Sequence, residues 1–217
     1  MWSETKHMDG MKKCGVLLLI SAPSGGGKTT VCTSMLAQNP TLRRVITCTT
    51  RPPRPGEVDG IDYHFFGMTE FECRIAAGEF LEHARVYGNR YGTLRSSVLD
   101  VLRAGLDVLL NIDVQGAASI RGAARAEPEL GASLVTVFLT PATQVELEAR
   151  LRGRGSEPED VVTRRLAAAP GEVSEAEHFD YLVVSGTRDE DLNCVQCIYV
   201  AEQARRHRVA FSFGGIA

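Results

Sequence analysis

The chain alternates between short, wholly apolar runs and longer stretches in which apolar residues return every three or four positions. Residues 14–21 form the first run, with Val16, Leu17, Leu18, Leu19 and Ile20 consecutive, the pattern of a strand buried on both faces of a parallel sheet. Residues 106–112 and 134–139 are two more runs of this kind. Helical spacing follows each: 28–38, stopped by Asn39-Pro40; 116–126, stopped by Glu127-Pro128; and 143–152, broken at Gly153-Arg154-Gly155. It resumes over 159–169, a short strand is expected at 181–184, and a last helix at 189–205. Apolar strands alternating with helices predict an α/β fold with a parallel sheet flanked by helices.

One stretch breaks that rhythm. Residues 47–97 are more polar and mix both periods, so they read as an inserted subdomain. The β-branched segment 45–50 predicts a strand, and Arg51-Pro52-Pro53-Arg54-Pro55-Gly56 must be a loop. Strands are expected at 61–66 and 80–87, around a helix at 69–77 that Gly78 ends. A helix at 94–104 follows, with Thr93 placed to cap it. Residues 1–12 are polar and unpatterned and are expected to be a flexible tail.

Between the first run and its helix stand Ala22, Pro23, Ser24, Gly25, Gly26, Gly27, Lys28 and Thr29, followed by Thr30. This is the pattern of a phosphate-binding loop, with Ala22 in place of the usual first glycine. Glycines let successive backbone N–H groups turn toward one centre, and the following helix adds its positive end. Lys28 supplies a mobile cation for the outer phosphates, and the Thr29 hydroxyl is a magnesium ligand type. A triphosphate is the implied ligand; the loop alone does not say what is done with it.

The next segment, Thr47-Cys48-Thr49-Thr50-Arg51-Pro52-Pro53-Arg54-Pro55-Gly56-Glu57-Val58-Asp59-Gly60-Ile61-Asp62-Tyr63, closely resembles the corresponding block of guanylate kinases. So do Gly78-Glu79-Phe80-Leu81-Glu82 with Gly88-Asn89-Arg90-Tyr91-Gly92-Thr93, Asn111-Ile112-Asp113-Val114-Gln115-Gly116, and Arg150-Leu151-Arg152-Gly153-Arg154-Gly155 followed by Arg164-Arg165-Leu166. The resemblance covers nearly everything from about Lys13 to Arg205. It implies a P-loop kinase core at 13–46, 98–140 and 170–217, a mixed α/β GMP-binding insertion at 47–97 and a helical lid at 141–169. It also implies ATP and Mg²⁺ as donor and cofactor and GMP as acceptor, with dGMP a further candidate. Residues 22–30 would then hold ATP, and Thr29 and Asp113 would place the metal, Asp113 through water. Thr47, Arg51, Arg54, Tyr63, Glu82, Tyr91, Thr93 and Asp113 would hold GMP. Lys28, Arg51, Arg150, Arg154 and Arg165 would carry the charge of phosphoryl transfer.

Residue chemistry agrees with those roles. Two arginines stiffened by prolines suit a dianionic phosphate. A carboxylate at Glu82 can accept from guanine N1–H and N2–H₂, a donor pair that adenine lacks. Taken singly, Arg51 and Arg54 also read as solvated loop charges, Glu82 as an exposed strand carboxylate, Asp113 as a helix cap, and Arg150 with Arg154 as a solvated basic face. Two departures stand out: Asn111 where many relatives are acidic, and Ser185-Gly186 where an asparagine often helps hold adenine.

The remaining features mostly exclude. With 24 Lys and Arg against 27 Asp and Glu, the net charge of -3 argues against a broad nucleic-acid face. No apolar run is long enough to span a membrane, and Lys12-Lys13 leads into the phosphate loop rather than a cleavage site, so a cytoplasmic monomer or homodimer is expected. Five of the six cysteines sit in apolar or small-residue surroundings and are expected to be buried, reduced thiols. Cys194-x-x-Cys197 has no further ligands nearby, so packing is its expected role. Three rivals are weaker: a monophosphate kinase for another base, opposed by Glu82; a guanylate-kinase-like protein-binding module, opposed by intact Lys28 and Thr29; and a nucleic-acid-binding ATPase, opposed by the lack of a basic balance and of a nucleic-acid module.

Overall fold

The computed structural model describes residues 14–86, 88–153 and 158–209. Its centre is β1 (Leu17–Ser21), every residue of which is buried. β1 pairs in parallel with β7 (Asp107–Asn111) on one side and β8 (Leu134–Pro141) on the other. β2 (Leu42–Arg44) joins β7, and β9 (Tyr181–Ser185) joins β8, giving the parallel order β2-β7-β1-β8-β9.

Alternation along β1 divides the core into two layers. Val16, Leu18 and Ile20 pack toward α1 (Lys28–Gln38) and α8 (Arg188–Gln203), meeting Val31, Met35, Val195 and Tyr199. Leu17 and Leu19 face the opposite way, toward Val98 and Leu102 of α3 (Arg95–Arg103) and Ala117 and Ile120 of α4 (Val114–Ala126). A continuous apolar run is therefore required, because neither side chain set reaches water. Parallel pairing puts the C-terminal ends of β1, β7, β8 and β9 on one edge, where open α/β sheets bind ligands.

A second sheet is built from residues within 48–94, in the order β4 (His64–Phe65), β3 (Cys48–Thr49), β6 (Asn89–Leu94), β5 (Phe80–Val86). Only β3 and β4 pair in parallel; the β5–β6 and β3–β6 pairs are antiparallel. Its own small core is Cys48, Phe71 and Phe80, with Phe71 of α2 (Met68–Ala76) stacked on Phe80 at 4.4 Å between ring centroids.

Several expectations are corrected. Residues 45–50 are not one strand: β2 ends at Arg44 in the large sheet and β3 starts at Cys48 in the small one, so the segment is the crossing between them. Residues 89–94 are a strand that polarity and Gly92 concealed, and Thr93 lies inside it rather than capping α3, whose N-cap is Leu94. The proline read as a stop also starts a short helix, α5 (Pro128–Ser133). After α6 (Gln144–Gly153), α7 (Glu159–Ser174) continues through Pro170 instead of ending at Ala169. Of the thiols, only Cys32 and Cys48 are buried; Cys73, Cys194 and Cys197 are exposed and Cys14 is half-buried. Cys194 and Cys197 lie on the outer side of α8, so packing does not explain them. The tail at 1–12 lies outside the described residues. Among the described residues, no helix is long and apolar enough to cross a membrane.

One buried carboxylate ties the ends of the core together. Asp107 accepts from the Val16 N–H (2.8 Å), the Tyr199 hydroxyl (2.6 Å) and Gln203 Nε2 (2.7 Å), joining β7, the start of β1 and α8. Asp107→Ala would leave those buried donors unpaired, and the expected loss is about 3 kcal/mol of stability by urea titration, with the m-value unchanged.

Candidate active site

The glycine-rich loop leaves β1 at the binding edge and enters α1 at Lys28. Gly25 and Gly27 take left-handed φ angles of 91° and 95°, which turn successive peptides inward. Gly26 has a different reason. A Cβ there would lie 2.9 Å from the Ala22 methyl and 3.1 Å from the Pro23 carbonyl oxygen, so a bare α-carbon at 26 is what accommodates alanine at 22. Lys28 reaches back toward the Ala22 carbonyl oxygen at 3.4 Å. Burial lowers its pKa, while Asp113, Cys32 and Glu172 act in the opposite sense and favour the ammonium.

Two arginines reach this loop from the segment after β8. Arg165 on α7 donates to Ser24 Oγ at 2.8 Å. Arg150 on α6 donates to Ser185 Oγ at 2.8 Å, and its Nη1 would lie 3.9 Å from a Cβ on Gly27. Ser185 in turn donates to Asp191 at 2.5 Å, and Asp191 also accepts from the Gly186 N–H at 2.9 Å. Gly25, Gly27, Thr30, Arg150, Gly186 and Asp191 share a cavity of about 470 Å³ beside the loop. Ser185, where the asparagine was expected, thus holds an arginine. Arg154 lies outside the described residues.

The second array comes from the small sheet. Arg51 is not a free arm: it makes a two-pronged pair with Glu57, both bonds at 2.8 Å, and lies 5.5 Å over the Tyr63 ring. That pairing pushes the Arg51 pKa up, with Tyr91 adding to the effect. Glu57 is held at about 2 by Arg51 and by the Arg54 N–H, which it also accepts at 2.7 Å. The Arg54 side chain is exposed. Tyr63 and Tyr91 meet edge-on with centroids 6.2 Å apart. Thr47 and Tyr63, just before β3 and β4, line a cleft of about 340 Å³ with Thr29, Cys32, Arg44 and Asn111, so residues of the large sheet and those leading into the small one face one space.

Glu82 owes its placement to a β-bulge. β5 and β6 pair Phe80 with Leu94 but Glu82 with Thr93, so the register slips between 80 and 82. The slip turns Glu82 onto Thr93, whose buried hydroxyl donates to Oε1 at 2.6 Å. Asp113 caps α4 by accepting from the Gly116 N–H at 2.8 Å, so its capping role is real; it also acts electrostatically on Lys28 and Glu82. Burial raises the Glu82 pKa above the usual carboxylate range, the Thr93 hydroxyl opposes the rise, and Asp113 adds to it. Among the described residues, no group of three His, Cys, Asp or Glu gathers as a metal cluster.

A family profile described as guanylate kinase matches residues 15–202. The chain belongs to the guanylate kinase family. It is 43% identical over 204 residues to the guanylate kinase of Paramagnetospirillum magneticum, covering 94% of this chain and 92% of that one. With the guanylate kinase of Symbiobacterium thermophilum it shares 44% over 197 residues, covering 91% and 90%. The crystal structure of guanylate kinase from Anaplasma phagocytophilum superposes with a TM-score of 0.69 at 32% identity, covering 92% of each chain.

For this guanylate kinase, sequence reasoning missed three supporting carboxylates. Glu57 stood in a quoted block, and its pairing with Arg51 follows from a proline-stiffened loop that folds back on itself. Glu172, which accepts from the Ser24 N–H at 3.0 Å, lies two helical turns after Arg165 and therefore on the same face. Asp191 had no signal beyond its place in the first turn of α8.

The Glu82 environment makes a direct prediction. A carboxyl NMR titration should place Glu82 above the ordinary glutamate range. Thr93→Val should move it higher still, because the lost hydroxyl donor favours the ionised form. An unchanged midpoint would mean that the hydroxyl contributes nothing.

Proposed function

We propose that this guanylate kinase transfers the terminal phosphoryl group of ATP to GMP, giving ADP and GDP. The observation that carries the reading is the cleft where Thr29, next to Lys28, faces Thr47 and Tyr63, the residues just before β3 and β4. A cleft shared by the threonine next to Lys28 and the residues leading into the small sheet suits a reaction between two nucleotides.

Residues 22–30 hold the donor phosphates through backbone N–H groups, and Lys28 meets the outer pair. Arg51, oriented by Glu57 and the Pro52 carbonyl, would present its charge to the GMP phosphate, with Arg54, Tyr63 and Tyr91 beside it. Glu82 reads guanine N1–H and N2–H₂, with Thr47 and Thr93 on the neighbouring ring edge. An oxygen of the GMP phosphate then attacks the γ-phosphorus as the bond to the β-bridging oxygen breaks. Alignment and charge neutralisation by Lys28, Arg51, Arg150, Arg154 and Arg165 do most of the work. Thr29 and Asp113 are hard oxygen donors of the kind that suit Mg²⁺ with its retained water. Thr29 and Asp113 would hold such an ion, whose contribution would be neutralisation of phosphate charge. The insertion at 47–97 and the lid at 141–169 would close over both nucleotides and keep water from the γ-phosphate. We place this activity in the cytoplasm.

A protein-binding module on the same fold is the competing reading, and the ordered Gly25–Lys28 geometry favours the enzyme. Lys28→Ala should lower kcat/KM for ATP by roughly 10²-fold or more while leaving GMP binding and thermal stability near wild type. Near-normal turnover in that variant would remove the loop from the reaction.

A further inference from the structure

Arg165 and Glu172 bring opposite charges from one face of α7 to the same loop residue. Arg165 donates to the Ser24 hydroxyl at 2.8 Å, and the Ser24 N–H donates to Glu172 Oε2 at 3.0 Å. Ser24 belongs to the loop whose peptides turn inward to make an anion site. Glu172 also stands close enough to Lys28 to favour its charged form. A carboxylate thus occupies the mouth of a site shaped for phosphate, satisfying one loop amide and helping to balance the lysine.

A triphosphate held by the same loop would have to share these donors with the carboxylate. The terminal phosphate would bring further negative charge toward Lys28, and two anions sharing one cation in a partly enclosed site repel each other strongly. We propose that Glu172 is an internal stand-in for the donor's terminal phosphate, held by the loop in the empty enzyme and displaced when ATP binds. The proposal rests on the reading that residues 22–30 bind ATP.

Displacement has a route to the lid. Val162, Leu166 and Ala169 of α7 pack on Leu147 and Leu151 of α6, the helix that carries Arg150. Leu151 also rests on the loop, since a Cβ on Gly25 would lie 2.8 Å from it. Pro170 removes one helical hydrogen bond just before Glu172, which eases local adjustment of α7. Releasing Glu172 therefore frees the segment that must rearrange over the donor.

The test is calorimetric binding of MgATP, MgADP and GMP, each alone, to wild type, Glu172→Gln and Glu172→Ala. If the latched form is about nine tenths of the empty enzyme or somewhat less, removing the competing charge should tighten MgATP by about three- to tenfold. The gain should be smaller for MgADP and absent for GMP, a pattern that a scaffolding role would not produce. Unchanged or weaker MgATP binding by a stably folded Glu172→Gln protein would overturn the proposal. Lys28→Ala serves as the control: if it binds MgATP as tightly as wild type, the loop assignment fails, and this proposal with it.

Discussion

Backbone N–H groups can hold an anion only where consecutive peptides point inward, and few residues tolerate that geometry. Here the demand falls on Gly25 and Gly27 with positive φ, and on Gly26 because the space for its side chain is already taken by Ala22 and Pro23. Everything nearby serves that loop. β1 is buried on both faces so that it ends at a fixed point, and α1 begins at Lys28 with its positive end toward the same spot. The loop gathers its charged neighbours from far along the chain: Arg165 and Glu172 from α7, Asp113 from the end of β7, Arg150 from α6.

The acceptor side solves a different problem, that of keeping charged groups in place without neutralising what they must do. Glu57 fixes Arg51 by a two-pronged contact and the Pro52 carbonyl takes a further N–H, so the guanidinium is held in one orientation. The bulge in β5 sets Glu82 on Thr93, so a partly buried carboxylate keeps one good donor while its other oxygen lies toward Gly116 at the start of α4. Burial raises its pKa, and ionisation is then favoured by a partner that offers donors.

Local signals carried the sequence reading well. The apolar run, the glycines and Asn39-Pro40 bound α1 at the residues where it is found, Lys28–Gln38. The parallel sheet follows from runs with no polar face. What remained hidden depends on contacts between distant segments. β6 is polar and carries Gly92, so nothing in residues 89–94 alternates; it is a strand because β3 and β5 flank it. The Ser24–Glu172 bond joins residues 148 apart, and no spacing rule reaches that far. Cys194 and Cys197 were misread as packed because apolar neighbours in sequence do not reveal which side of a helix meets the core.

The central claim is that Glu82, set by the bulge onto Thr93, makes guanine the accepted base. Guanine offers two adjacent donors to a carboxylate, whereas adenine presents an acceptor that would leave the carboxylate unpaired and repelled. Sites of this type discriminate by about 10⁴-fold. The decisive measurement is ADP release from MgATP with GMP, AMP, CMP or UMP as acceptor, in wild type and in Glu82→Gln. Wild type should use GMP by orders of magnitude over the others, and the variant should narrow the GMP-to-AMP gap chiefly by losing GMP activity. Comparable use of AMP by wild type, or unchanged selectivity in the variant, would contradict the account.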